Sequence, residues 1–273
     1  MSLFYRQFGS GRPLVFLHGL FGSGDNWQTL LSKLEGFEVW LPDLRNHGAS
    51  PWFDDFSVQE LATDLYDFLD EHKIERPLVG GHSLGGKTAM EFALSWPERL
   101  SGMICVDMAP RAYAPQYDGF VSSLLEVNLE TIHSRSEAQN LLATRIPDKA
   151  TLLFLLKNLV PDEKGTGWRW RLNLKALEQH YDQIWIGLNK KDKQDRDRVW
   201  KGPALFVAGG QSEYVRAKDW PLILDFFPQA ELQTIEGAGH WLHAEKPAEV
   251  LTVIRRWLDQ KNDFLPPSSQ LKR

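Results

Sequence analysis

The stretch Gly81-His82-Ser83-Leu84-Gly85 constrains this chain more than any other. The apolar run at 77–81 leads into it and residues 87–96 have helical composition, so a strand feeds a helix through Ser83. Strand and helix backbones approach closely at such a turn, which is why glycine stands at 81 and 85. The turn holds one hydroxyl clear of its surroundings. A bare G-x-S-x-G match is common in loops; the strand before and the helix behind give it meaning.

The rest of the chain repeats the same rhythm. Residues 3–8 alternate weakly, a glycine turn follows, and 14–17 form a continuous apolar strand ending at His18-Gly19-Leu20-Phe21-Gly22. These first two strands are expected to pair as a hairpin. Residues 27–34 place Trp27, Leu30, Leu31 and Leu34 at helical spacing, residues 37–41 read as a strand, and Asp43-Leu44-Arg45-Asn46-His47-Gly48 follows it. Ser57 with Glu60 reads as a capping box opening an amphipathic helix. Residues 103–106 form a buried strand ending at Asp107. Apolar strands alternating with amphipathic helices imply a mainly parallel, twisted sheet with helices on both faces, an α/β fold. Ligands gather at the carboxyl ends of such strands, where His18, Ser83 and Asp107 all fall.

From 111 to 199 the rhythm breaks into leucine-rich and aromatic helices, read as an inserted helical cap over the sheet edge. Residues 152–160 are read as a core or cap helix, and 190–198 as a solvated mixed-charge segment. Strand and helix resume at 204–208, 231–235 and a final amphipathic helix carrying Val250, Ile254 and Trp257. The domain reading is therefore a core from 1–110 and 200–265, a cap at 111–199 and a disordered tail at 266–273.

Composition removes several functions. The chain has 273 residues and 42% hydrophobic content, enough for a full core. Its formal charge is −5 with no long basic block, so nucleic acid is not an expected partner. The single cysteine, Cys105, precludes an intrachain disulfide and reads as a buried structural thiol. The first eight residues lack the charged start and apolar run of a signal peptide, and no segment is long enough for stable membrane insertion. Cytoplasm is the expected compartment.

A serine hydroxyl is a weak nucleophile near neutral pH and needs a base within hydrogen-bond reach. His240, in the glycine-bounded loop before the last helix, is the candidate. His82 adjoins the serine but points away if the turn is tight, while His18 and His47 shape the same rim. His240 and His243 lie one helical turn apart, but no third ligand stands out and no metal is expected. The imidazole needs a carboxylate to hold its tautomer, and two compete. Asp107 leaves an apolar strand, where an unpaired carboxylate is costly, and is preferred. Glu213 follows the penultimate strand, and stays the alternative. The Leu20 and Leu84 amides are the candidate donors to a tetrahedral oxyanion.

Together His18-Gly19-Leu20-Phe21-Gly22, the turn at Ser83, Asp107-Met108-Ala109-Pro110 and Gly239-His240-Trp241 resemble the α/β-hydrolase family. Asp43-Leu44-Arg45-Asn46-His47-Gly48 and Gly86-Lys87 are similar to the small bacterial YbfF-type esterases. The resemblance spans nearly the whole chain and is weakest across the cap. It implies Ser83 as nucleophile, His240 as general acid and base, and Leu20 and Leu84 as amide donors. It also places the acid on the strand after the turn, which supports Asp107, while Ser212-Glu213 departs from the wider fold's usual Asp. The implied substrate is a small-molecule acyl ester or thioester, cleaved without metal or organic cofactor. Trp168, Trp170 and Trp185 would then line an acyl pocket or, on the plainer reading, form the core of the cap. The loop at 18–27 is similar to that of menaquinone-pathway lyases, so a lyase or carbon–carbon bond hydrolase on the same fold is the alternative activity. A non-catalytic binding protein is a third.

Overall fold

Leu14, Val15, Phe16 and Leu17 can be apolar without interruption only if both faces of their strand are covered. The computed structural model, which describes residues 2–115, 119–162 and 164–261, covers both. Val15, Leu17, Val79, Met103, Cys105 and Phe206 enter one core. Leu14, Phe16, Leu78, Ile104, Val106 and Leu205 enter the other. Side chains alternate between the two because successive strand residues point to opposite faces.

The strands are β1 (Tyr5–Gly9), β2 (Arg12–Leu17), β3 (Phe37–Pro42), β4 (Leu78–His82), β5 (Gly102–Val106), β6 (Leu159–Pro161), β7 (Trp168–Trp170), β8 (Ala204–Gly209) and β9 (Ala230–Ile235). The helices are α1 (Asp25–Leu31), α2 (Val58–Glu71), α3 (Leu84–Ser95), α4 (Phe120–Leu125), α5 (Arg135–Leu142), α6 (Lys149–Leu156), α7 (Leu174–Gln179), α8 (Trp220–Phe226), α9 (Leu242–Glu245) and α10 (Pro247–Gln260). The main sheet runs β1-β3-β2-β4-β5-β8-β9, parallel except at β1. Residues of α2, α3 and α8 pack in the first core, and those of α1 and α10 in the second.

Three local expectations change. β1 and β2 do not form a hairpin, because β3 lies between them and pairs with both. Gly9 and Gly11, with φ of 77° and 122°, carry the chain over the start of β3. A Cβ at either would meet the carbonyl oxygen of Phe37 or Gly36 at 2.3 and 2.2 Å. Ser57 Oγ accepts from the Glu60 amide at 3.2 Å, but the Glu60 carboxylate turns to Arg45 at 3.3 Å, an ion pair, so we find half a capping box. Residues 152–160 split between α6 and β6. There the buried Asn158 ends the helix, its Nδ2 donating to the Phe21 carbonyl at 2.9 Å.

Residues 111–199 stand between β5 and β8 and carry α4 to α7 and the β6-β7 pair. Trp170 and Trp185 are buried there, as are Leu142, Leu152 and Leu155, in a cluster continuous with the α2/α3 side of the sheet. The tail at 266–273, with residues 262–265, lies outside the described residues. No described helix is long and apolar enough to cross a membrane.

Candidate active site

Ser83 has φ 53° and ψ −117°, a conformation that costs about 1–3 kcal/mol and that packing must impose. The cause lies in its neighbours. A Cβ on Gly81 would stand 2.2 Å from the Gly85 carbonyl carbon, and one on Gly85 would stand 2.4 Å from the Leu17 carbonyl oxygen. β4 and α3 therefore meet with no room for side chains at the turn. The Ser83 amide donates to the Val106 carbonyl at 2.9 Å, and its own carbonyl accepts from Lys87 at 2.9 Å, opening α3.

His240 Nε2 lies 3.0 Å from Ser83 Oγ. Its Nδ1 lies 2.7 Å from Asp107 Oδ2. Asp107 is fully buried, also at positive φ (52°), and its Oδ1 accepts from the Gly209 amide at 3.0 Å. Asp107, His240 and Ser83 thus form one continuous hydrogen-bonded chain, drawn from the residue after β5, the loop after β9 and the turn after β4. Glu213 is not part of it. Its carboxylate is exposed and paired with Arg216, while its carbonyl accepts from Arg111 at 2.8 Å.

Two contacts here have no local signature in the sequence. The Ser212 hydroxyl donates to Asp107 Oδ2, the same oxygen that faces His240, and accepts from the Tyr214 amide at 3.2 Å. Tyr214 stacks on the His240 ring, with centroids 3.8 Å apart and planes at 15°. His82, which lines the same cleft as Ser83, is not idle: its Nε2 donates to the His240 carbonyl at 2.8 Å, across 158 positions of chain. Burial holds its pKa well below the ordinary histidine value, which leaves a neutral ring beside His240.

His18 and His47 build the rim. The Leu44 amide donates to His18 Nε2 at 2.9 Å, so the ring proton sits on Nδ1 and is donated to the Gly19 carbonyl at 2.8 Å. Burial lowers the pKa of His18 to about 4 and that of His47 to about 3, so neither is charged near neutrality. The loop that follows lies against Ser83: a Cβ on Gly19 would be 3.3 Å from Ser83 Cβ. Leu20 and Ser83 line one cleft. Among the described residues, no turn or loop hydrogen bond uses the Leu20 or the Leu84 amide.

The cleft continues over Phe120, Phe154, Leu155 and Trp241. Trp168, Trp170 and Trp185 are not among its lining residues, and the latter two are buried in the 111–199 segment, as the plainer reading had it. Cys105 is fully buried, its thiol pKa pushed upward by burial and its Sγ 3.3 Å from the Met108 carbonyl. Among the described residues, no three His, Cys, Asp or Glu side chains converge as a metal site.

Residues 12–247 match the α/β-hydrolase fold family, and the chain belongs to it. The chain is 35% identical to esterase YbfF of Escherichia coli, over 90% of this chain and 93% of that one. It is 36% identical to an sn-1-specific diacylglycerol lipase, ABHD11, of Xenopus tropicalis, over 91% of this chain and 78% of that one. Among solved structures it is similar to a marine-microorganism esterase, at 38% identity and a TM-score of 0.88, covering 94% and 99% of the two chains. Fold and relatives together define a carboxylic ester hydrolase.

Proposed function

We propose that Ser83 is the nucleophile of this ester hydrolase, His240 its general base and acid, and Asp107 the carboxylate that orients His240. The continuous chain of hydrogen bonds from Asp107 through His240 to Ser83 carries the reading. With Nδ1–H donated to Asp107, His240 presents an unprotonated Nε2 to Ser83 and takes its proton as Oγ attacks the ester carbonyl. The imidazolium then protonates the leaving alcohol, and a water activated by the same nitrogen releases the acid from the acyl-enzyme. The Leu20 and Leu84 amides receive the oxyanion, the second at the N-terminus of α3, where the helix dipole favours negative charge.

Residues 111–199 act as a cap over a core of 1–110 and 200–265, and the apolar cleft walls at Phe120, Phe154 and Leu155 suit an acyl chain. The substrate is a small-molecule carboxylic ester, taken up in the cytoplasm without nucleic acid or stable membrane insertion. The deciding experiment is hydrolysis of nitrophenyl esters of increasing acyl length by the wild type and Ser83→Ala. Wild-type turnover that falls at least about 10⁴-fold in the variant supports the assignment. Equal rates in the two proteins would sink it. Pyruvate elimination faster than any ester cleavage would favour the lyase alternative.

A further inference from the structure

His240 has to meet Asp107 and Ser83 at once, yet its own loop does little to fix its ring. Asp107 is fully buried and Ser83 sits in a turn that packing imposes, whereas the His240 side chain is 14% exposed and stands in a loop with glycine at 237 and 239. The main chain there is tied down. The His240 carbonyl accepts from His82 Nε2 at 2.8 Å, and the Gly239 amide donates to Glu245 Oε2 at 2.7 Å. The ring is a separate matter. Imidazole nitrogens donate and accept in the plane of the ring, so the bonds at Nδ1 and Nε2 do little to stop it rocking about the line between them.

A contact on the face of the ring does stop that motion, and Tyr214 supplies one. Its ring lies against His240 with centroids 3.8 Å apart and planes at 15°. His82, also beside the imidazole, is tilted to it by 38° with centroids 4.7 Å apart. An aromatic face also attracts cations, so the same contact favours the imidazolium that exists while the proton is in transit.

Tyr214 is itself held on both sides of its backbone and is only 4% exposed. Its carbonyl accepts from the Tyr113 hydroxyl at 2.7 Å, and that hydroxyl accepts from the Ala109 amide at 2.7 Å. Its amide donates to the Ser212 hydroxyl, which donates in turn to Asp107 Oδ2, the oxygen that faces His240. Asp107, Ser212, Tyr214 and His240 therefore form a closed cycle of three hydrogen bonds and one ring stack. Tyr214 does not line the Ser83 cleft, so it reaches the reaction through the imidazole and not through the substrate.

We propose that Tyr214 is a positioning residue for ester hydrolysis, its ring holding the His240 imidazole in the plane where Nδ1 meets Asp107 and Nε2 meets Ser83. This rests on the roles of Ser83 and His240 proposed above. The test measures kcat and KM on nitrophenyl butyrate and nitrophenyl octanoate, with thermal unfolding of each variant. Tyr214→Leu keeps an apolar side chain but has no planar face, and is expected to lose about 10- to 100-fold in kcat with KM within about twofold of wild type on both esters. Tyr214→Phe keeps the face and is expected to recover that loss to within about threefold of wild type. Tyr113→Phe removes the hydroxyl bound to the Tyr214 carbonyl while leaving both rings, and a fall in kcat of about three- to tenfold is expected, again at unchanged KM. Should Tyr214→Leu fail to fold, the two phenylalanine variants decide: kcat lost in Tyr113→Phe and kept in Tyr214→Phe supports the role, and any other outcome overturns it. A folded Tyr214→Leu that keeps its kcat, or whose loss lies in KM, also overturns it. So does a Tyr214→Phe as slow as Tyr214→Leu, which would put the effect in the hydroxyl. A wild type that cleaves neither ester, or a His240→Ala as fast as wild type, removes the hydrolase reading itself. An active wild type, a His240→Ala at least about 10³-fold slower and an unimpaired Tyr214→Leu remove the positioning role alone.

Discussion

Asp107 is the residue on which the assignment of roles turns. Its carboxylate is fully buried with three donors around it, the Gly209 amide, the Ser212 hydroxyl and His240 Nδ1–H. Asp107→Asn keeps the shape but offers His240 either an amide donor or a weaker acceptor, so the wrong tautomer is favoured. We expect kcat to fall about 10⁴-fold, while Glu213→Gln, on the exposed side chain, stays within about twofold of wild type. Rates measured on one nitrophenyl ester check both, and an inactive Glu213→Gln with an active Asp107→Asn would reverse the assignment. Ser212→Ala removes one charge-assisted hydrogen bond from the acid and leaves the other two, so a loss of about tenfold in kcat is expected, with KM little changed. Ser83 and Asp107 were legible because each follows directly on a strand end, beside glycine or an apolar run, and His240 because glycines bound its loop between β9 and the last helices. Ser212 and Tyr214 were not, because a serine and a tyrosine in a loop acquire their roles only from what the fold brings opposite them. The bond from His82 to the His240 carbonyl was not legible either, since it joins residues 158 positions apart.

The same contrast holds for elements. The alternation of apolar runs with amphipathic helices gives the parallel sheet and its two covered faces, since the unbroken apolar run at 14–17 demands cover on both sides and the 3.6-residue period is written into residues 58–69. The place of β1 is not written there. A glycine turn between two strands suggests a hairpin, and only the fit of Gly9 and Gly11 against Gly36 and Phe37 shows the slot that β3 fills. At the turn after β4, Gly85→Ala would drive a Cβ to 2.4 Å from the Leu17 carbonyl oxygen and 2.6 Å from that of His18, both backbone atoms that cannot swing aside. Thermal unfolding and esterase assays are expected to show loss of stability by several kcal/mol and loss of activity together. The loop after β3 is tied to α2 by a different device. Arg45 donates from Nε and Nη2 to the two oxygens of Asp64 at 2.5 and 2.6 Å, and both residues are buried. Asp64→Ala leaves the guanidinium without its bidentate partner, and about 3–5 kcal/mol of stability should be lost, measured by denaturant midpoint. A loss under about 1 kcal/mol would mean that Asp55 and Glu60, the exposed partners of Arg45, suffice.

At the scale of the whole molecule, buried bases set how stability responds to pH, on both sides of neutrality. His18, His47 and His243 have pKa values of about 4, 3 and 3 in the folded chain, lowered first by burial, against an ordinary value of 6.5. Between those values the unfolded chain binds protons that the folded chain refuses, so the contribution of these residues is complete above pH 6.5 and is lost as pH falls toward 3. Lys87 extends the trend upward. It is fully buried on α3, its ammonium donates to the Ile184 carbonyl at 2.8 Å, and burial lowers its pKa from 10.5 to about 7. From pH 7 to 10.5 the unfolded chain again holds a proton that the folded chain does not, so Lys87 also adds stability as pH rises. Lys87→Met removes it together with the hydrogen bond, and the second loss does not depend on pH. Unfolding free energies measured from pH 7 to 10 are therefore expected to diverge, the wild type gaining on Lys87→Met with each step upward, whatever their offset at pH 7. On the acid side, His47→Gln should flatten part of the fall between pH 6.5 and 4, since glutamine keeps a polar group there without a proton to gain. Wild-type and Lys87→Met curves that run parallel from pH 7 to 10 would show that Lys87 keeps its charge in the folded chain. In that case the single bond to Ile184, with the Tyr113 ring 5.5 Å away, would have to be enough to hold a buried ammonium.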